Sequence, residues 1–196
     1  EGDGWAAQRA RKMRDGLKGN SAQIMALAEC EAALENHLKA PPLDENDGNS
    51  AVVGNVAAGK KKHEWLTLRG QEKSSVLLGV RASFAHTLEL KGWSRQCHGV
   101  YRRNAALTRA VSGEVQTDNP IGHLGTSHKV LVVHLHRHLA NGKWSREFQR
   151  FLDWLADEAK DHDILMGDFN MSLFLVVPSL RSRGVVVDLA AWYPWK

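Results

Sequence analysis

Four polar residues stand where apolar runs stop. Glu29 follows "IMALA", His134 follows "VLVV", and Asp168 and Asn170 follow "ILMG" with one residue between them. In sheets flanked by helices, ligands collect just beyond the strand ends, where a rigid backbone aims side chains into a cleft. A carboxylate from one strand and another from a second strand can hold one hard cation such as Mg²⁺, which prefers oxygen and keeps several waters for a substrate. Asp168 and Asn170 are two apart, so in an extended segment they would face the same way and reach one group together. The competing reading of "GDFN" is a plain strand-end turn, since Gly, Asp and Asn are favoured there. Glu29 could instead be a carboxylate at the start of the following helix, stabilised by its dipole, with Glu31 two residues on.

The elements that must carry these residues follow from periodicity. Trp5, Ala6, Ala10, Met13 and Leu17 recur at helical spacing with Arg and Lys between them, which predicts a basic amphipathic helix stopped near residues 19–20. "AQIMAL" (22–27) reads as a short buried strand, and "ECEAALENHLKAPP" as a short helix ended by Pro41 and Pro42. Residues 41–50 form an acidic loop, "AVVGNV" a strand, and "GKKKH" (59–63) a basic loop. "EWLTLR" (64–69) and "SSVLLGVRAS" (74–83) are expected to pair around "GQEK", and 86–115 to hold two more strands. Residues 117–128 read as a loop. "KVLVVHLHRH" (129–138) alternates as a strand. Trp144, Phe148, Phe151, Leu152, Leu155 and Ala159 then mark one helix face, and "DILMGD" returns to strand. Strand, helix, strand at this length is a βαβ unit, so the fold class is α/β.

Composition sets the outer limits. At 196 residues, 43% hydrophobic and 24% charged, the chain suits one soluble domain spanning 1–196. A net charge of +4 favours a polyanionic partner such as nucleic acid or a phosphorylated molecule. Cys30 and Cys97 are read as buried reduced thiols, which favours an intracellular setting. No apolar run approaches the roughly 18 residues of a membrane span, and the first residues lack the apolar core of a signal peptide. A monomer is expected.

Three of these stretches resemble the endonuclease/exonuclease/phosphatase superfamily. "AQIMALAE" is similar to its "D-I-(I/L)-(A/G)-L-Q-E" element, "VLVVHL" to its "V-x-N-x-H-L" strand, and "DILMGDFN" to its "G-D-(F/L)-N" signature, in the same order along residues 8–176. The resemblance implies two packed mixed β-sheets flanked by helices, a four-layer α/β sandwich that hydrolyses phosphoester bonds with Mg²⁺ or Mn²⁺. Glu29 would be a metal ligand. Asp168 would orient or deprotonate the attacking water or join the metal shell. Asn170 would hydrogen-bond the phosphate or the nucleophile, and His134 would contact a non-bridging phosphate oxygen. The reading that leads is an endonuclease-like phosphodiesterase acting on nucleic acid.

The chain departs from that pattern in three places. Ala28 stands where the family has Gln, nothing precedes Glu1 to supply the first strand and its Asn, and no Ser-Asp-His element follows "GDFN". The expectation is therefore a domain truncated at both ends. An incomplete domain kept for nucleic-acid binding and a phosphoinositide or lipid phosphoesterase are the alternatives. His134, His136 and His138 alternate on one strand face, which also admits a zinc-type tri-histidine site. "KKKH" (60–63) and "YRRN" (101–104) read as phosphate contacts or solvated loops. Trp144 and Trp154 are assigned to the core, and Trp192 and Trp195 carry no assignment.

Overall fold

The computed structural model describes residues 4, 8–9, 11–13, 16, 22–28, 30, 35, 65–69, 76–91, 109–121, 125–135 and 146–188. Seven strands and two helices have defined bounds: β1 (Ile24–Leu27), β2 (Trp65–Arg69), β3 (Leu77–Arg81), β4 (Ala85–Leu90), β5 (Ala110–Thr117), β6 (Ser127–His134), α1 (Arg146–Ala159), β7 (Ile164–Asp168) and α2 (Leu173–Arg181). They form two sheets, ordered β1-β3-β2 and β4-β5-β6-β7. The α/β class and the expected pairing of 64–69 with 74–83 stand. One expectation is corrected: the first sheet is antiparallel at every described pairing, and only the second is mixed, through the parallel pair β6–β7. The reason is connectivity: β6 and β7 are joined through α1, a crossover helix of the length a parallel pair needs.

Alternation along β6 explains how the layers sort. Val130 and Val132 enter a cluster with Val76, Leu78, Val80, Val111 and Val115, which lies between the two sheets. Leu131 and Val133 point the other way, into a cluster with Phe148, Phe151, Leu152 and Leu155 of α1 and Val176 and Leu180 of α2. The 2-residue period of the strand and the 3.6-residue period of the helix thus meet on one surface. A third cluster on the outer face of the first sheet joins Met25, Cys30, Trp65 and Leu77, with Met13 packed against it. Gly113 lets the sheets approach: a Cβ there would lie 2.8 Å from Leu78 and 2.9 Å from Leu68.

β7 is held in register at its start as well as along its length. The Asp163 carboxylate accepts from the Lys129 amide at 2.8 Å, and the Asp163 amide donates to the Lys129 carbonyl at 2.9 Å. From that anchor Val130 pairs with Ile164 and, four residues later, His134 pairs with Asp168. A slip of one residue would turn Leu165 out of the helix-side core, so the register that brings His134 beside Asp168 is set by packing.

His128 breaks the apolar pattern of β6. It is fully buried, and neither ring nitrogen has a hydrogen-bond partner among the described residues. A buried polar atom left unsatisfied costs about 1–3 kcal/mol. Replacing His128 with Met is therefore expected to stabilise the fold by roughly 1 kcal/mol, allowing for imperfect repacking. An upward shift of the urea midpoint would show it, and a downward shift would refute it.

Candidate functional site

The loop after β7 is built letter by letter from "GDFNMS". Gly167 has φ 141°, and a Cβ on it would sit 1.8 Å from the Val133 carbonyl oxygen of the neighbouring strand, so no side chain fits. Phe169 and Met171 pack on the helix-side core, while Asp168 and Asn170, alternating with them, are exposed. Ser172 caps α2, accepting from the Phe174 amide at 3.2 Å. The loop is thereby pinned from three sides, and two polar side chains are left facing outward.

Asp168 and Asn170 do not share a face by strand pleating, as the extended reading supposed. The strand ends at Asp168, and Asn170 takes the left-handed conformation with φ 49°. What unites them is an Asx turn, in which the Asn170 amide donates to Asp168 Oδ1 at 2.8 Å. Turn and convergence are the same object. Asn is among the few residues with a side chain that tolerate this backbone.

The Asn170 side chain reaches across to β6. Its Nδ2 donates to the Leu135 carbonyl at 2.9 Å and lies 3.4 Å from His134 Nε2. The Leu135 contact fixes which way the amide points, because a carbonyl must face a donor. His134 Nε2 can serve as the acceptor of this long contact. Asn170 Oδ1 takes no hydrogen bond among the described residues, which leaves an acceptor on the same turn as the Asp168 carboxylate. The Asp168 carbonyl in turn accepts from the Leu135 amide at 2.8 Å, closing the β6–β7 pair at the site itself. His134 is 4% exposed, so its ring backs Asn170 rather than lying open beside it.

Three of the four residues named from the sequence are therefore brought together: His134, Asp168 and Asn170. Glu29 lies outside the described residues, as do His136, His138, residues 60–63 and 101–104, Cys97, Trp144, Trp192 and Trp195. Among the described residues no group of three or more His, Cys, Asp or Glu could hold a metal ion. The described donor of the kind Mg²⁺ takes is the exposed Asp168 carboxylate, with one oxygen engaged in the turn. No helix of the described residues is long and apolar enough to cross a membrane.

No protein-family model matches this chain. A search of curated proteins found no match either. The functional reading accordingly rests on the loop and its chemistry.

Two further features were not foreseen from the sequence. The first is α2, whose Ser172 cap was the available signal and whose Pro178 argued against a helix. The second is a buried polar cluster at the ends of β1 and β2. There Arg69 Nε donates to Glu35 Oε2 at 2.8 Å, Arg69 Nη1 to the Cys30 carbonyl at 2.8 Å, and Thr67 Oγ1 to Glu35 Oε1 at 3.1 Å. Cys30 is buried, as expected, and burial pushes its thiol pKa up against the lowering pull of Arg69.

Proposed function

We propose that this chain is a divalent-metal-dependent phosphoesterase, an endonuclease-like phosphodiesterase acting on nucleic acid as a monomer. The observation that carries the reading is the convergence of the Asp168 carboxylate and the outward Asn170 Oδ1 at the ends of paired strands, with His134 behind. The finer architecture proposed with it is the four-layer sandwich of a single domain. Its support is the stack of three apolar clusters, one between the sheets and one on each outer face.

Asp168, with Glu29, would hold Mg²⁺ or Mn²⁺, which supplies charge stabilisation to the phosphoryl oxygens. The protein's own part is positional. Asp168 and Asn170 Oδ1 are two acceptors on one short turn, and together they can hold both hydrogens of a water. That fixes its lone pair toward phosphorus: as the water oxygen forms its bond to phosphorus Asp168 takes the water proton, and the P–O bond to the leaving group breaks, the leaving oxygen taking a proton from solvent. His134 and the Leu135 carbonyl keep the amide in this orientation. Of the two partners expected for Asn170, phosphate and nucleophile, this orientation favours the nucleophile, because its donor side is already used.

The test is Mg²⁺- or Mn²⁺-dependent cleavage of plain and abasic DNA, RNA and an inositol phosphate, with Asp168→Asn alongside. The substitution keeps an oxygen for the Asn170 amide and removes the charge. The expected result is cleavage of a nucleic-acid substrate that falls by about 10²-fold or more in the variant. Equal background from both proteins would refute the enzyme reading, and activity on the inositol phosphate alone would move the substrate class.

A further inference from the structure

We infer that Arg109 is a phosphate-binding residue of the same site, holding non-bridging oxygens of the phosphate at which Asp168 and Asn170 aim their water. The inference rests on the phosphoesterase reading for the identity of that anion. Its position follows from register. The His134 amide donates to the Arg109 carbonyl at 2.8 Å, which carries the β5–β6 ladder one pair beyond Ala110 and Val133. On the other side His134 pairs with Asp168. Arg109, His134 and Asp168 therefore form one row across the ends of three adjacent strands.

Pleating sets the face. Ala110 and Val133 belong to the helix-side cluster, so Arg109 and His134, one step along, leave from the opposite face, as Asp168 does three residues after Leu165. Adjacent strands are about 4.8 Å apart, which puts the backbones of Arg109 and Asp168 about 10 Å from each other with the end of β6 between them. A phosphate in front of that end has the water-holding acceptors on one side and a guanidinium on the other.

The second observation concerns what Arg109 lacks. It is half-buried, its Nη1 is closed off from solvent without an acceptor, and it holds no carboxylate among the described residues. Other arginines are answered: Arg69 by Glu35, Arg183 by Asp153 and Arg181 by the Val187 carbonyl. Buried donors are normally satisfied, and a guanidinium cannot shed its charge as a buried carboxyl or imidazole can. One left unanswered in the row of His134 and Asp168 costs stability, and an anion bound there relieves that cost. The planar fork suits two oxygens of one phosphate, and its charge lies where negative charge gathers as water attacks.

The test reads phosphate contact, folding and cleavage separately. Binding of a short DNA duplex in EDTA is followed by fluorescence anisotropy across a salt series, for wild type, Arg109→Met, Arg109→Lys, Asp168→Asn and Lys160→Met. The last makes the same change of charge at the opposite end of β7 from Asp168. Arg109→Met is expected to lower the slope of log affinity against log salt by about 0.9, the share of one phosphate contact. Its kcat/KM with Mg²⁺ should fall about 10²-fold, and its urea midpoint should lie at or above wild type. Arg109→Lys, which keeps the charge, and Lys160→Met should both keep the wild-type slope. A wild-type slope in Arg109→Met, or the same lowering in either of those two, would overturn the inference. Loss of cleavage in Asp168→Asn alongside that result would leave the phosphoesterase reading standing. A slope lowered in Arg109→Met alone, from a wild type that cleaves nothing, would support the phosphate contact and sink the enzyme reading. Absence of DNA binding by wild type would sink both. Misfolding of both Arg109 variants would assign the residue to the fold and overturn the inference as well.

Discussion

Gly167→Ala is expected to destabilise the protein by on the order of 3–5 kcal/mol, more than any ordinary surface substitution. Two costs add. The residue sits at φ 141°, which a side chain resists, and the new Cβ would fall 1.8 Å from the Val133 carbonyl oxygen. That neighbour is strand backbone, held in a ladder between β5 and β7, so it cannot swing aside as a side chain would. Relief requires β7 to peel from β6, which would also separate Asp168 from His134. Against a total stability of about 5–15 kcal/mol, the variant would be marginal or unfolded at 37 °C. Urea denaturation measures the loss, and a cost under about 1 kcal/mol would mean that Gly167 is not confined as described.

The second large effect separates chemistry from folding at one position. Asn170→Gly should leave stability within about 1 kcal/mol of wild type, because opposing terms nearly cancel. Glycine adopts the left-handed backbone at no steric cost and still offers its amide to Asp168 Oδ1. Against this, the hydrogen bond to the Leu135 carbonyl is lost, worth about 0.5–1.5 kcal/mol, and the unfolded chain gains freedom. Activity, on the proposed reading, should fall by about 10²-fold or more, since the acceptor beside Asp168 is gone. Asn170→Ala is the control: it loses the same amide and pays the left-handed strain besides, so both stability and activity should drop. Chevron-free equilibrium melts and single-turnover cleavage suffice. Full activity in Asn170→Gly would remove the side chain from the mechanism.

Much of the second sheet was legible because its signals are local. Val130–Val133 form a short continuous apolar run, the α1 face repeats at helical spacing, and the βαβ order of β6, α1 and β7 follows from their lengths. The parallel pairing and the meeting of His134, Asp168 and Asn170 then follow from register. What failed was the conformation of Asn170. A pattern read as extended cannot reveal that an Asx turn has bent it, because the Asp side chain competes with the strand for the next amides. α2 was missed for a related reason. "LFLVVPSLR" is apolar through its first half, with two β-branched residues and an internal proline, and its helix is settled by the Ser172 cap and by Val176 and Leu180 packing on the α1 side. The Arg69–Glu35 contact joins residues 34 apart, with no motif to announce it.

The Asx turn has a consequence for how the "GDFN" string would age. Its first two letters answer to folding: Gly167 because β6 backbone crowds it, Asp168 because its carboxylate closes the turn. Phe169 answers to the core. On the proposed reading Asp168 serves chemistry as well, and the choice of Asn over Gly at 170 is the one that answers to chemistry with little weight in folding. A lineage relieved of catalysis would thus keep the look of the motif almost intact, with its history written in a single letter.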